Sequence, residues 1–149
     1  MDKGTLKAIW IKRKKGGSMD PVSSATLVPG EGIAGNADKG GERQVTIMEQ
    51  EVWEEVMRQV GGSLPPSARR ANLMVSGVRL QNSEGKILRV GACRIRIGGE
   101  ATVCGRMDEA LEGLRELMDE DWRGGAYGEV LNDGAVAVGC DVSFVEETA

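Results

Sequence analysis

Residues 87–104 read ILRVGACRIRIGGEATVC, and three short apolar segments stand out in them. Ile87–Val90, Ala92–Ile97 and Ala101–Cys104 are separated by Gly91 and by Gly98-Gly99. The middle segment alternates strictly. Cys93, Ile95 and Ile97 fall on one face and Arg94 and Arg96 on the other. A period of two belongs to a strand with one buried side. Short apolar runs punctuated by glycine predict successive strands of an all-β fold.

Working outward, Thr5–Lys12 predicts a strand with Leu6, Ala8 and Trp10 on one face. Ala25–Val28, Gln44–Met48, Ala71–Val75 and Asp141–Val145 read as further strands. Tyr127–Leu131 and Ala135–Val138 flank Asn132-Asp133-Gly134, a strong hairpin signal. Two amphipathic helices interrupt the pattern. Glu49–Val60 carries Val52, Trp53, Val56, Met57 and Val60 on one stripe and stops at Gly61-Gly62. Met107–Met118 carries Met107, Ala110, Leu111, Leu114 and Met118. Arg13–Asp20 and Glu31–Glu42 read as loops, the second long and glycine-rich, as functional loops often are. Strands dominate and no βαβ alternation runs through the chain. The expectation is a mainly β fold: a closed or partly closed β-barrel with two or three peripheral helices, in one domain spanning 1–149.

Composition narrows the function. The 149 residues carry a net charge of −4, against a general nucleic-acid role, which needs a basic face. No segment reaches the roughly 20 apolar residues of a membrane span. Met1–Ile11 is too short and too charged for a signal peptide. Three cysteines without metal-like spacing indicate free thiols in a reducing, cytoplasmic setting. The chain contains no histidine, which excludes Ser-His-Asp and Cys-His catalysis and every His-ligated metal site.

The cysteines are not equivalent. Cys93 shares the apolar face of its strand and reads as a core thiol. Cys140 precedes the last strand and reads as a turn position. Cys104 ends a segment, with Gly105-Arg106 next and a helix expected just beyond. Helix N-terminal amides and a guanidinium both favour thiolate, the form that attacks, carries sulfur or ligates a soft metal. Asp108 and Glu109 oppose this locally. Basic residues supply a second theme. Lys12, Arg13, Lys14 and Lys15 form a run that reads as a solvated loop or a local anion site. Gly32-Ile33-Ala34-Gly35-Asn36 offers backbone N–H groups to an anion. Arg69-Arg70-Ala71-Asn72 combines two guanidiniums, suited to phosphate, with an amide suited to a heterocycle.

Taken in order, these segments resemble the MOSC domain, named for the C-terminal part of molybdenum cofactor sulfurases. The resemblance runs from Gly32–Asp38 through Arg43–Ile47, Arg70–Leu73, Ser76-Gly77-Val78 and Leu88–Gly91 to Val103-Cys104. It closes on Arg123-Gly124-Gly125, Gly128–Leu131 and Gly139-Cys140-Asp141. It implies a β-barrel that handles molybdenum cofactor, a pterin dithiolene phosphate holding Mo. Cys104 would carry sulfur or ligate Mo. Arg43, Arg69 and Arg70 would hold the phosphate, with Gly35, Asn36, Asn72 and Arg106 also around the cofactor.

The implied partners are the cofactor or the proteins that build and sulfurate it. Asn36 and Asp38 stand where family members usually carry Asp and then His, and Val103 where Pro is frequent. A site charge and a proton carrier are thereby missing, which favours carriage or ligation over acid–base catalysis. There is no room for the pyridoxal-phosphate domain of the sulfurases. Whether the chain is an enzyme stays open. The alternatives are a Mo-dependent reductase of N-hydroxylated substrates and a non-catalytic barrel that serves as an interaction module.

Overall fold

The computed structural model describes residues 3–37, 39–101, 118 and 121–145. The strands among them are β1 (Gly4–Lys12), β2 (Met19–Val22), β3 (Ser24–Val28), β4 (Gly32–Ile33), β5 (Val45–Glu49), β6 (Leu73–Ser76), β7 (Ile87–Val90), β8 (Cys93–Glu100), β9 (Ala126–Val130), β10 (Gly134–Ala137) and β11 (Asp141–Phe144). Helix α1 (Gln50–Val60) and a 3-10 turn, Pro66–Arg69, lie between β5 and β6.

Seven strands close a ring in the order β1, β6, β5, β9, β8, β7, β11, and β11 returns to β1. The expected barrel is therefore closed. β2 pairs with the far half of β1, where Ile9 faces Val22 and Lys12 faces Met19. β3, β4 and β10 form a separate small sheet, which adds Leu27, Ile33 and Val136 to the barrel core. Period-2 alternation explains the filling. In β8, Cys93, Ile95 and Ile97 are buried while Arg94 and Arg96 are exposed. Gly98-Gly99, expected to end that strand, instead runs on inside β8 to Glu100. A Cβ on Gly98 would stand 2.5 Å from the Tyr127 ring, so the pair leaves room for an aromatic side chain rather than for a turn.

Three other expectations change. The face predicted for β1 is split by a β-bulge between Leu6 and Ala8. Leu6, Ile9 and Ile11 enter the barrel core, whereas Ala8 and Trp10 face the outer layer. An inserted residue flips every later side chain to the opposite face. The Asn132-Asp133-Gly134 corner does not make a hairpin. β9 pairs with β8 and β5, and β10 pairs with β3. The Asn132 amide accepts from Arg94 N at 2.8 Å and donates to Ala92 O at 3.0 Å, tying the corner to β8 while the chain changes sheets. The Arg13–Asp20 loop also yields its end to β2. Of the second expected helix, Met118 is described; it is helical and buried. The rest of Met107–Met118 and residues 102–104 lie outside the described residues.

Helix α1 forms where the stripe predicted it. Trp53, Val56 and Met57 pack with Trp10, Met48 and Met74 as a second cluster on the outer side of the barrel. Gly61, at φ 69, caps its C-terminus in the left-handed conformation that glycine adopts without cost. β5, α1 and β6 make a parallel crossover, with Ile47 opposite Leu73. At the junction, Glu49 is 7% exposed and gives no side-chain cap to α1. Burial pushes its carboxyl up to about 7, against the lowering effect of the Leu80 backbone N–H bonded to it.

That shift makes stability depend on pH. The folded state keeps the Glu49 proton between the ordinary carboxylate value of 4.5 and about 7, while the unfolded chain releases it. Stability therefore falls as pH rises through that window, by up to about 3 kcal/mol from this residue. Urea denaturation of Glu49→Gln is expected to match the parent near the acid end and exceed it at about pH 8, with this loss removed. Parallel pH profiles for the two proteins would contradict it.

Candidate anion site

At one end of the barrel the chain bends at Arg70, whose φ is 63, and Asn72 follows. Its backbone N–H donates to Thr46 O at 2.9 Å, and its backbone C=O accepts from Trp10 N at 2.8 Å. Its side chain repeats both contacts in the opposite sense. Oδ1 accepts from Thr46 N at 3.1 Å, and Nδ2 donates to Trp10 O at 3.3 Å. Nδ2 also donates to Asn36 Oδ1 at 3.3 Å. The amide thus serves as a ladder partner for β1 and β5 ahead of β6, which begins at Leu73 rather than at the predicted Ala71.

The glycine-rich loop is locked to β1 just as closely. Lys12 N donates to Asn36 Oδ1 at 2.9 Å, and Lys12 O accepts from Ala37 N at 2.6 Å. Gln44 spends its amide on Gly41 O at 3.1 Å and on Val130 N at 3.0 Å. These fixed amides surround a cavity of about 280 Å³ lined by Lys12, Met19, Asn36, Arg43, Gln44, Thr46, Arg70 and Asn72. Three cations and a hydroxyl converge on amides already committed to the scaffold. Such a lining suits an anion, and Arg suits an oxyanion with two accepting oxygens. Arg43 also lies over the Tyr127 ring, 5.7 Å from its centroid.

The structure therefore brings together Arg43, Arg70, Asn36 and Asn72 from the residues picked in the sequence. Gly35 sits beside them in the turn at φ 89 but does not line the cavity. Arg69 turns away. It is 6% exposed, and its Nε donates to Gly124 O at 2.7 Å and its Nη2 to Ala101 O at 3.5 Å. Arg70 instead donates to Gly17 O in the β1–β2 loop. Cys104, Arg106 and Asp38 lie outside the described residues. The sequence reading missed Gln44 and Thr46 as lining residues. Gln44, just ahead of β5, and Thr46 on it alternate with the buried Val45 and Ile47, and that alternation is the signal that could have found them.

A larger cavity, about 430 Å³, lies at the other end of β5 and is lined by Glu49, Glu51, Glu55 and Asp121 with Arg79, Arg123 and neutral groups. The smaller one is the candidate site, because it is the one where cations gather without a carboxylate among the described lining residues. Neither described cysteine reaches it. Cys93 is fully buried, and burial raises its thiol, with Cys140 and Asp133 adding to the effect. Cys140 is half-buried in the turn before β11.

Fold and site together define a closed β-barrel with a cavity lined by Lys12, Arg43 and Arg70. The MOSC domain profile matches residues 29–143, and the chain belongs to that family. Its fold is similar to that of the YuaD protein from Bacillus subtilis, at 19% identity over 94% of each chain and a TM-score of 0.79. It is similar also to YiiM from Geobacillus stearothermophilus, at 16% identity, with 96% of this chain and 75% of that one covered and a TM-score of 0.76. YiiM from Escherichia coli gives 18% identity, 97% and 71% coverage and a TM-score of 0.73. Comparison with curated protein sequences finds no match. Among the described residues, no helix is long and apolar enough to cross a membrane.

The locked amide is open to test. Asn72→Leu keeps the branched shape of the side chain but removes the partners of Thr46 N and Trp10 O. Chemical denaturation is expected to show a loss of about 3 kcal/mol, the worth of a few buried hydrogen bonds. A loss under about 0.5 kcal/mol, the range of an ordinary surface substitution, would mean that the amide is dispensable.

Proposed function

We propose that this chain binds molybdenum cofactor through its phosphate, and that Cys104 holds sulfur or ligates Mo in the maturation of that cofactor. The observation that carries the reading is the cavity in which Lys12, Arg43 and Arg70 meet. The donor set fits a phosphate: two guanidiniums and an ammonium supply only donors, and a phosphate supplies only acceptors when ionised. The amides fit a different task from the one expected of them. Asn72 and Asn36 bond to backbone and to each other, so they support the cations and do not read the pterin ring.

When bound, the cofactor supplies its metal and dithiolene sulfur chemistry. The chain's part is to bind and orient. Arg43 and Arg70 grip the anionic group, and the Asn72 and Asn36 amides keep β1, β5 and the glycine-rich loop in one arrangement around it. Cys104, as thiolate, offers a soft ligand or a sulfur acceptor. Cys93 is unsuited to either, because its thiol is fully buried and that burial disfavours its thiolate.

Protein purified from cells that make the cofactor is expected to carry pterin fluorescence and Mo by elemental analysis. Arg43→Ala should lower pterin occupancy by about tenfold, one charge-assisted contact's worth. Arg58→Ala, a change on the exposed face of α1, should leave it unchanged. Cysteine desulfurase and labelled cysteine then test the thiol. Label is expected on the Cys104 peptide. Label on Cys93 or Cys140 alone would remove the carrier reading, and pterin-free protein would remove the cofactor reading.

A further inference from the structure

We infer that Tyr127 is a positioning residue of the proposed anion site: its ring holds the Arg43 guanidinium at the cavity and leaves the N–H donors of that guanidinium for the ligand. The inference rests on the reading of the cavity as an anion site and names a residue behind the lining that serves it. Arg43 lines the cavity, and its guanidinium lies over the Tyr127 ring, 5.7 Å from the centroid. Tyr127 is not among the described lining residues. Strand register accounts for its place beside them. Tyr127 stands opposite Thr46 in the antiparallel β5–β9 ladder, and directly opposed residues share a face of the sheet. Thr46 lines the cavity, so the ring leaves β9 on the face that carries it.

The ring itself has a fixed seat. Tyr127 stands opposite Gly99 in the β8–β9 ladder, whose register shifts between Ile97 and Gly99. A Cβ on Gly98 would meet Tyr127 Cε1 at 2.5 Å, and one on Gly99 would meet Tyr127 Oη at 3.1 Å. Two glycines inside a strand weaken it, and here they give an aromatic ring bare backbone to lie against. The contact on the ring suits the task of Arg43. Among the described residues, Arg43 makes neither a hydrogen bond nor an ion pair. Arg69 and Arg70, in contrast, donate to backbone carbonyls. An aromatic face attracts a cation through its quadrupole and takes up none of the donors at the guanidinium edge. A carboxylate would hold the guanidinium as well, but it would occupy donors and offset the charge. Holding the long side chain in advance also reduces the rotamer freedom lost when a ligand arrives.

The test is calorimetric titration of the full chain with inorganic phosphate, in the parent and in a double-mutant cycle of Tyr127→Leu with Arg43→Ala. Tyr127→Leu is expected to lower phosphate affinity by about threefold, the worth of one partly exposed cation–π contact. Tyr127→Phe keeps the ring and should stay near the parent value. With Arg43→Ala already present, adding Tyr127→Leu should cause no further loss, because there is no guanidinium left to position. Where Tyr127→Leu does not fold, Gly98→Ala takes its place in the cycle with the same expectation, since its methyl group displaces the ring without altering a lining residue. Three results would each overturn the inference: parent affinity in Tyr127→Leu, an equal loss in Tyr127→Phe and Tyr127→Leu, or a Tyr127→Leu loss that persists undiminished beside Arg43→Ala. A parent that binds no phosphate fails at an earlier step, because the anion-site reading then falls and takes the inference with it.

Discussion

The Asn72 amide solves a problem that the barrel sets for itself. β6 is parallel to β5 and antiparallel to β1, so its first residue must be satisfied on both sides. The chain arrives there from a 3-10 turn and a left-handed Arg70, and the backbone carries the ladder back no further than the bonds of Asn72 to Thr46 O and Trp10 N. Asn72 supplies the missing partners from its side chain, one to Thr46 and one to Trp10. An unpaired backbone group in a largely buried position costs about 1–3 kcal/mol, so this is a strong constraint on residue type. The same amide reaches Asn36, and Asn36 reaches Lys12. The end of the barrel and the lining of the cavity are therefore one hydrogen-bonded unit.

Arg69 and Arg70 show how adjacent residues with the same chemistry part company. Arg69 is the last residue of the 3-10 turn, and Arg70 follows at positive φ. The reversal of backbone hand between them sends the two side chains to different places. Arg69 is buried against the carbonyls of Ala101 and Gly124. Arg70 lines the cavity and holds the β1–β2 loop through Gly17. Composition gives no hint of this division. It depends on one dihedral angle, which a non-glycine residue adopts rarely and only where its surroundings enforce it.

Much of the barrel was legible because alternation is a local property. Cys93–Ile97 and helix α1 carry their buried faces in the sequence itself, and both form as expected. What was not legible depends on partners distant in the chain. The bulge in β1 is set by its pairing with β6, and it moves Trp10 from the expected company of Leu6 to that of Met48 and Trp53. The Asn132-Asp133-Gly134 corner has the residues of a hairpin turn, yet β3 competes for β10 and wins it. In the site, residue types were legible and their tasks were not. Arg43 and Arg70 could be chosen as cations for an anion, but nothing local told that Asn72 was already committed to the backbone.

The two cavities give the molecule an electrical direction. β5 is five residues long, yet Thr46 near its start lines a cationic cavity and Glu49 at its end lines one rich in carboxylates. The chain as a whole is acidic, at −4, so its average field repels anions. Lys12, Arg43 and Arg70 place positive charge around one cavity of the barrel against that average. Field lines focus in a concave site with low-dielectric walls, and such a site raises the local concentration of its counter-ion. The acidic remainder then acts in the same sense, because it makes other surfaces unattractive to the same ligand. In the proposed function, selection of an anion is thus a contrast between two ends of one short strand.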